Sequence, residues 1–375
     1  MGPRGRTLCA VADSRAPDRV RKRIEAISAE SADATALRRD ALDALAQVVE
    51  FDAYVWLLTD PVTAVGAAPV ADVPCLPELP ALIKAKYATP VNRWTVLQHA
   101  PSPVGLLHDL VEGELARSHV WQEVLSRYEI GDVASAVFAD QFGCWGFLDL
   151  WRNNRGAPFD RVDADLIADL APSLTAGLRR CQAETFVEPA APQPGRGPVV
   201  LTLDDDLRIT SRTAASQSWL DLLLPPRPDE QGIPASVYNV AAQLLAVEAG
   251  VDQHPASARV HLAEGFWLTL RAARLASEEP VPATVVVTIE EASAAERLEL
   301  FARAFGLTAR ENELLGRLAT GDDTRAMAHQ MSLSEHTVQD HLKSIFAKTG
   351  ARDRITVLSR ALGTRNTGPG SGIRG

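Results

Sequence analysis

The sequence contains little cysteine and no long apolar run. Its four cysteines, Cys9, Cys75, Cys144 and Cys181, are scattered, with no C-x-x-C pair and no histidine at metal-ligand spacing. This distribution excludes a disulfide framework and a cysteine-based zinc site. No apolar segment is long enough to cross a bilayer, and the N-terminus has no signal-peptide core. We therefore expect a cytoplasmic protein with free thiols and no membrane partner.

The motifs of several common enzyme classes are absent as well. The chain has no G-x-x-x-x-G-K-S phosphate loop, no G-x-S-x-G nucleophile turn and no H-E-x-x-H helix. We expect no catalytic residue, no metal and no cofactor. Without an ATPase module, a signal can act only through a ligand that binds two arrangements of the protein with different affinities.

Charge is distributed unevenly along the 375 residues. The formal net charge is -10, but residues 303–365 contain ten Lys or Arg and seven Asp or Glu, which gives +3 for that segment and -13 for the rest. The phosphates of DNA would attract the positive segment and repel the negative remainder. The length and ordinary composition suit two or three soluble domains.

The positive segment has the pattern of a helix-turn-helix. Thr308 and Glu311 form a capping box that starts a first helix, and Asp323 can cap a short second helix over 324–331. Ser334 follows a tight turn and can cap a third helix. The buried stripe of that third helix is expected to contain Val338, Leu342, Ile345 and Phe346.

The opposite face of the third helix carries His336, Asp340 and Lys343, flanked by Thr337 and Gln339. On a lone amphipathic helix such a face is usually just solvated. The short helix and tight turn before it favour a recognition helix instead, because the N-terminal half of such a helix enters the major groove and bonds base edges there.

This run resembles the LuxR-type C-terminal DNA-binding domain over residues 307–362, without a gap. The residues that carry the resemblance are Leu307 to Glu311, Gly321, Ala328, Ser334, Thr337, Val338, His341 and Lys348. The family has four helices, of which the third lies in the major groove and the fourth mediates dimer contact. The resemblance implies promoter DNA, RNA polymerase and a second copy of the chain as partners.

The resemblance also assigns residues to these roles. Gln339, Asp340 and Lys343 would face bases, and Asp340 departs from the uncharged or basic residue that is usual there. The full set expected at DNA is Arg310, Ser334, His336, Thr337, Gln339, Asp340, His341, Lys343 and Lys348. The residues expected at the dimer contact of the fourth helix are Ile355, Leu358 and Leu362.

The rest of the chain divides at a Pro- and Gly-rich linker. The fold class we expect is multidomain α+β: two antiparallel-sheet domains followed by an all-α four-helix domain. The expected segments are a disordered basic tail (1–19), a GAF-like sensory domain (20–185), the linker (186–198), a PAS-like domain (199–291), a connecting helix (292–305), the LuxR-type domain (306–363) and a disordered tail (364–375).

The GAF resemblance rests on Phe51-Asp52-Ala53, on a hairpin containing Phe142 to Gly146, and on Pro158-Phe159-Asp160 before a long helix. The weaker PAS resemblance rests on the order of elements and on an opening hairpin. Such domains bind a small ligand or serve as dimerisation surfaces, and the residues do not decide between these. Side chains that could line a pocket, or simply belong to the core, are Trp94, Trp121, Trp145, His99, His108 and His119.

Together these patterns predict a one-component transcription regulator that is not an enzyme. Its sensory half would bind a small molecule or a protein and modulate the DNA-binding domain. The alternative is a thiol redox or ligand-processing enzyme that uses Cys75 or Cys144 and carries an accessory DNA-binding domain.

Overall fold

The computed structural model describes residues 16–186, 197–223, 234–262, 266–275 and 284–363. Most of the predicted linker and both predicted tails, apart from residues 16–19, lie outside the described residues. Among the described helices, none has the length and apolarity needed to span a bilayer.

The first domain is built on an antiparallel sheet with strand order β2-β1-β5-β4-β3. The strands are β1 (Ala53–Thr59), β2 (Gly66–Asp72), β3 (Val104–Leu106), β4 (Ile130–Asp140) and β5 (Gly143–Asn153). The predicted hairpin is confirmed, since β4 and β5 pair from Ile130 and Asn153 down to Asp140 and Gly143. Both faces of these two strands are buried, so the sheet must be covered on both sides.

Helices supply those covers. One face packs under three longer helices, α1 (Ala16–Glu30), α2 (Ala34–Leu45) and α7 (Arg161–Glu184). The other is covered by the shorter helices α3 (Leu79–Ala88), α4 (Trp94–Leu97), α5 (Leu107–Leu110) and α6 (His119–Glu123). The predicted long helix follows Asp160. Asp160 is the N-cap of α7 and forms a capping box with Asp163.

The middle domain repeats the strand order of the first domain. Its sheet runs β7-β6-β10-β9-β8 and is also antiparallel. Its strands and helices are β6 (Val199–Leu203), β7 (Ile209–Arg212), α8 (Ser216–Leu223), α9 (Ala235–Glu248), β8 (Ser257–His261), β9 (Trp267–Arg274) and β10 (Val285–Glu291). The predicted two-sheet α+β class is confirmed, while the GAF-like and PAS-like labels stay predictions.

The two sheet domains are packed directly against each other. Helix α9 lies on α3 and on β2 of the first domain. The amide of Asn239 on α9 donates to the carbonyl oxygen of Gly66 at 2.8 Å, and buried Arg93 pairs with buried Asp252 across the interface. A ligand held between these domains would therefore contact both of them.

The C-terminal domain is all-helical. Its helices are α10 (Ala294–Ala304), α11 (Ala309–Ala319), α12 (Thr324–Gln330), α13 (Glu335–Thr349) and α14 (Arg354–Leu362). The three predicted caps are present, since Thr308, Asp323 and Ser334 each accept a backbone N–H of the helix that follows. Asp353, which was not predicted as a cap, does the same for α14. Gly321 ends the turn after α11 in a left-handed conformation, with φ +87°.

The connecting helix differs from its prediction. Helix α10 begins after Ser293, because Glu290 and Glu291 belong to strand β10. It is separated from α11 by Gly306, which has φ +61°, a left-handed conformation that ends the helix. Helix α10 packs against α14, α11 and α7. It therefore contacts the first domain as well as its own domain.

Two predicted boundaries are also wrong. Residues 16–19, expected in a disordered tail, form the first turn of α1. Phe186, assigned to the linker, is fully buried, stacks on Trp267 and meets Phe301 edge-on. This aromatic cluster joins the end of α7 to the middle domain and to α10.

Candidate nucleic-acid interface and candidate ligand cavity

Helix α13 is held by its apolar face. Val338, Leu342 and Ile345 are buried against the other helices of the domain, as predicted. Phe346 is only partly buried. The packing fixes which side of the helix reaches solvent, so the polar face predicted from the sequence is the exposed one.

On that exposed face, His336 lies one helical turn before Asp340, and Lys343 lies one turn after it. Asp340 lies 3.1 Å from Lys343 Nζ and 3.5 Å from His336 Nε2, and all three side chains are more than half exposed. The hydrogen bond from Lys343 holds the pKa of the Asp340 carboxyl below its usual value. In the free protein, Asp340 therefore neutralises part of the positive charge on this face.

The N-terminal end of α13 carries further predicted contacts. Ser334 accepts the backbone N–H of Thr337 at 3.1 Å, and the two hydroxyls lie 2.8 Å apart. Gln339 is exposed and donates weakly to Thr324 of α12 at 3.4 Å. His341 is half-buried, and Arg310 on α11 is exposed and pairs with Glu313. Contact of these residues with DNA stays a prediction.

Lys348 has a structural partner that the sequence did not reveal. Its Nζ lies 2.6 Å from the buried Glu311 carboxylate and 3.1 Å from the carbonyl oxygen of Gly306. Ser344 donates to the same carboxylate at 2.6 Å, and the Thr308 backbone donates to it at 2.7 Å. Burial alone would raise the pKa of Glu311, but these hydrogen bonds outweigh it and lower the pKa to about 2. Glu311 thus ties α13 to α11.

The three residues predicted for the dimer contact of the fourth helix differ in their exposure to solvent. Ile355 is 59% exposed, whereas Leu358 and Leu362 are half-buried and Leu358 packs against the domain core. Helix α10 covers part of α14, where the Arg297 guanidinium donates to the carbonyl oxygen of Arg360 at 3.3 Å. Ile355 is the residue most available for contact with a second chain.

A cavity of about 100 Å³ lies over the sheet of the first domain, on the α3 side. Its wall is mostly apolar and comes from β1, β2, α3 and β5, with Ala235 and Asn239 contributed by the middle domain. Of the six residues that the sequence offered as pocket lining, only Trp94 lines it. A β-bulge at Trp145, between the pairs Phe138–Gly146 and Ala139–Cys144, reverses the alternation of β5 and places Trp145 in the core under α7.

Buried polar groups meet at one end of this cavity. Lys86 Nζ lies 2.9 Å from the Asp149 carboxylate and 4.4 Å from the centre of the Trp94 ring, whose Nε1 donates to Asp149 at 2.8 Å. Within the described residues, the Asn92 side-chain oxygen and the Trp151 ring nitrogen are buried with no hydrogen-bond partner. Both residues line the cavity. These two residues therefore carry an acceptor and a donor that no described group satisfies.

The alternative of thiol chemistry finds no support at Cys75 or Cys144. Cys75 and Cys144 are buried, and burial raises the pKa of their thiols to about 11 and about 12. A reactive thiol needs the opposite shift, towards the thiolate at neutral pH. The described residues also hold no cluster of three or more His, Cys, Asp or Glu side chains arranged for a metal ion.

One buried ion network joins all three domains. Arg259 on β8 donates to both carboxylate oxygens of Asp60, which follows β1, at 2.6 and 2.7 Å. Its third nitrogen donates at 2.8 Å to Glu299 on α10. Asp60 and Arg259 are almost inaccessible to solvent. Since a buried charge needs its partner, movement of one domain alone would be costly at this junction.

Residues 306–361 match the family described as bacterial regulatory proteins, luxR family. A monoamine regulon transcriptional regulator of Klebsiella aerogenes is 41% identical over 54 residues, which cover 14% of this chain and 24% of that protein. A probable HTH-type transcriptional regulator, GfsR of Streptomyces halstedii, is 40% identical over 60 residues, or 16% of this chain and 25% of that protein. The chain therefore spans about a quarter of the length of these curated relatives.

Helix order, caps and family match agree on the class: the C-terminal region is a helix-turn-helix DNA-binding domain. Residues 306–361 are, more narrowly, a LuxR-type domain. Among solved structures, Escherichia coli SdiA aligns over 92% of this chain and 97% of its own, with a TM-score of 0.35 and 14% identity. SdiA in complex with octanoyl-rac-glycerol aligns over 93% and 88%, with a TM-score of 0.28 and 13% identity.

Proposed function

We propose that the chain is a sequence-specific DNA-binding transcription regulator whose two sheet domains control a LuxR-type domain. The observation that carries this proposal is the exposed polar face of α13, held in place by buried Val338, Leu342 and Ile345, within a region that matches the family. Promoter DNA is the partner, and the cytoplasm, where a bacterial chromosome lies, is the compartment. Binding as a homodimer through Ile355 and contact with RNA polymerase are parts of the same proposal.

The experiment separates base contacts from phosphate contacts. Lys343→Ala should weaken binding to the specific site by about 1–3 kcal/mol and relax the preference at one base pair, because Lys343 lies on the groove-facing side. Arg310→Ala should weaken binding to every sequence alike, because a phosphate contact carries no sequence information. Fluorescence anisotropy with a site, its single-base variants and unrelated DNA measures both. Equal losses on all sequences for both variants would refute the division of roles.

We propose that the cavity over the first sheet is the effector site. Its apolar wall and its unpaired acceptor and donor suit a small, largely apolar molecule that carries one hydrogen-bond donor and one acceptor. Because Ala235 and Asn239 complete the wall, such a molecule would contact the middle domain and favour one arrangement of the two domains.

Native mass spectrometry of the full chain, purified from its own host, tests the effector site. We expect a stoichiometric small molecule that is lost when Leu82→Trp fills the cavity and retained in Val162→Trp, which alters an exposed residue of α7. Purification free of any such molecule, with no change in DNA binding in Leu82→Trp, would favour a protein as the signal instead.

A further inference from the structure

A second and larger recess lies on the opposite side of the first sheet. It is a cleft of about 530 Å³ between α2, the end of α7 and the middle domain. Its principal lining side chains are Thr35, Arg38, Cys181, Val260, His261 and Trp267. Nothing in the proposed function uses this cleft.

Arg38 is the unusual residue in the cleft. It is 1% exposed, yet its guanidinium contacts only carbonyl oxygens: Nε donates to Ala34, and Nη1 donates to Trp56 and Ala68, at 2.7 to 3.0 Å. A guanidinium has five N–H donors, so these three bonds leave the two N–H groups of Nη2 without a partner among the described residues. Burial lowers the pKa of Arg38 to about 10, which still leaves it charged at neutral pH.

In the part of the chain that the structure describes, no carboxylate is bonded to Arg38. Buried Arg93 and buried Arg259, by contrast, each form an ion pair with a carboxylate. Asp33 and Glu184 line the same cleft, but Asp33 is engaged as the cap of α2 through Ala36, and Glu184 is exposed to solvent. Buried charges are normally paired, so this arrangement is incomplete without an anion.

The other walls of the cleft indicate what is attached to that anion. Leu58, Leu178 and Val260 present apolar surface, and the Trp267 ring nitrogen is buried without a partner within the described residues. The cleft is far larger than a bare inorganic ion needs. We infer that it binds an amphipathic small molecule whose oxyanion head, a carboxylate or a phosphate, bonds to Arg38 and whose apolar body lies between the first and middle domains.

Isothermal titration of the full chain at constant ionic strength tests this site with three probes of similar shape: benzoate, phenyl phosphate and benzyl alcohol. At least one oxyanion should bind, at least about 10-fold more tightly than the neutral alcohol, because the alcohol cannot neutralise Arg38. Which oxyanion binds better identifies the head group. A failure of all three probes to bind, or equal binding of the alcohol, would overturn the inference.

Three variants locate the binding. Arg38→Gln removes the charge, and Thr35→Trp narrows the cleft while leaving the carbonyl bonds of Arg38 intact; each should weaken oxyanion binding about 10-fold or more. Arg39→Gln, the same substitution at the exposed neighbour on α2, should leave it unchanged. Should Arg38→Gln fail to fold, Thr35→Trp decides. Wild-type affinity in Thr35→Trp and in any folded Arg38→Gln contradicts the site, whatever the chain does with DNA.

Discussion

At the scale of single residues, Glu311 joins local structure to tertiary structure. The sequence predicted it as half of a capping box with Thr308, and the structure confirms that role. The same carboxylate also binds Lys348 and Ser344 from α13, more than thirty residues along the chain. The capping pattern is local and could be predicted. The second role could not, because no local pattern indicates which distant lysine will meet a carboxylate.

Removing this carboxylate should loosen the DNA-binding domain. Glu311→Gln is expected to reduce the local stability of α11 and α13 by about 2 kcal/mol at pH 7, because it leaves buried donors and the Lys348 ammonium without their anion. Amide hydrogen exchange measures the change, because it follows the amides of this domain separately from those of the other two domains. Glu313→Gln, at an exposed acid of the same helix, is the matched control and should change little.

The pH dependence of that effect has a definite sign. The folded pKa of Glu311 is about 2, below the ordinary 4.5, so its stabilising contribution is complete above about pH 5 and declines as the pH falls through 4.5 towards 2. The difference between wild type and Glu311→Gln should shrink over that range, after correction for intrinsic exchange rates. A difference that stays constant down to pH 3 would contradict the assigned hydrogen bonds.

At the scale of elements, the sequence predicted the helices and strands that have a periodic apolar pattern or a capping residue. The β4–β5 hairpin, the long α7 and the four helices of the DNA-binding domain all follow from alternation, apolar stripes and capping residues. The connecting helix was predicted over 292–305 and is observed over Ala294–Ala304, and the start of α11 after Thr308 requires a break between the two helices. Gly306 supplies that break, and its Cα lies against Phe142 of the first domain.

Gly306→Ala should therefore destabilise the junction between α10 and α11. A Cβ there would meet the Phe142 ring at 3.2 Å and would force a left-handed conformation on alanine, at a cost of about 1–2 kcal/mol. Gly316→Ala, in the exposed interior of α11 with open space around it, should instead stabilise that helix by about 0.5–1 kcal/mol. Urea unfolding followed by circular dichroism compares the two. Changes of the same sign would show that the left-handed turn is unimportant.

At the scale of the whole molecule, the distribution of charge could be read from the sequence, whereas the contacts between domains could not. The sequence alone shows that residues 303–365 carry a net charge of +3 and that the rest of the chain carries -13. It could not show that Asp60, Arg259 and Glu299 meet, or that Phe186 anchors a segment assigned to the linker, because both depend on how the domains pack. These contacts link the sensory half to α10, which in turn packs on α14, the predicted dimer helix.

The central claim is that the full chain binds a specific DNA site through its C-terminal domain. The most direct test is the binding of full-length protein to its own upstream DNA and to a scrambled sequence of the same length, over a series of salt concentrations. We expect tighter binding to the upstream DNA, with the logarithm of the binding constant falling linearly as the logarithm of salt concentration rises. Equal affinity for both sequences, or no binding to either even at low salt, would contradict it.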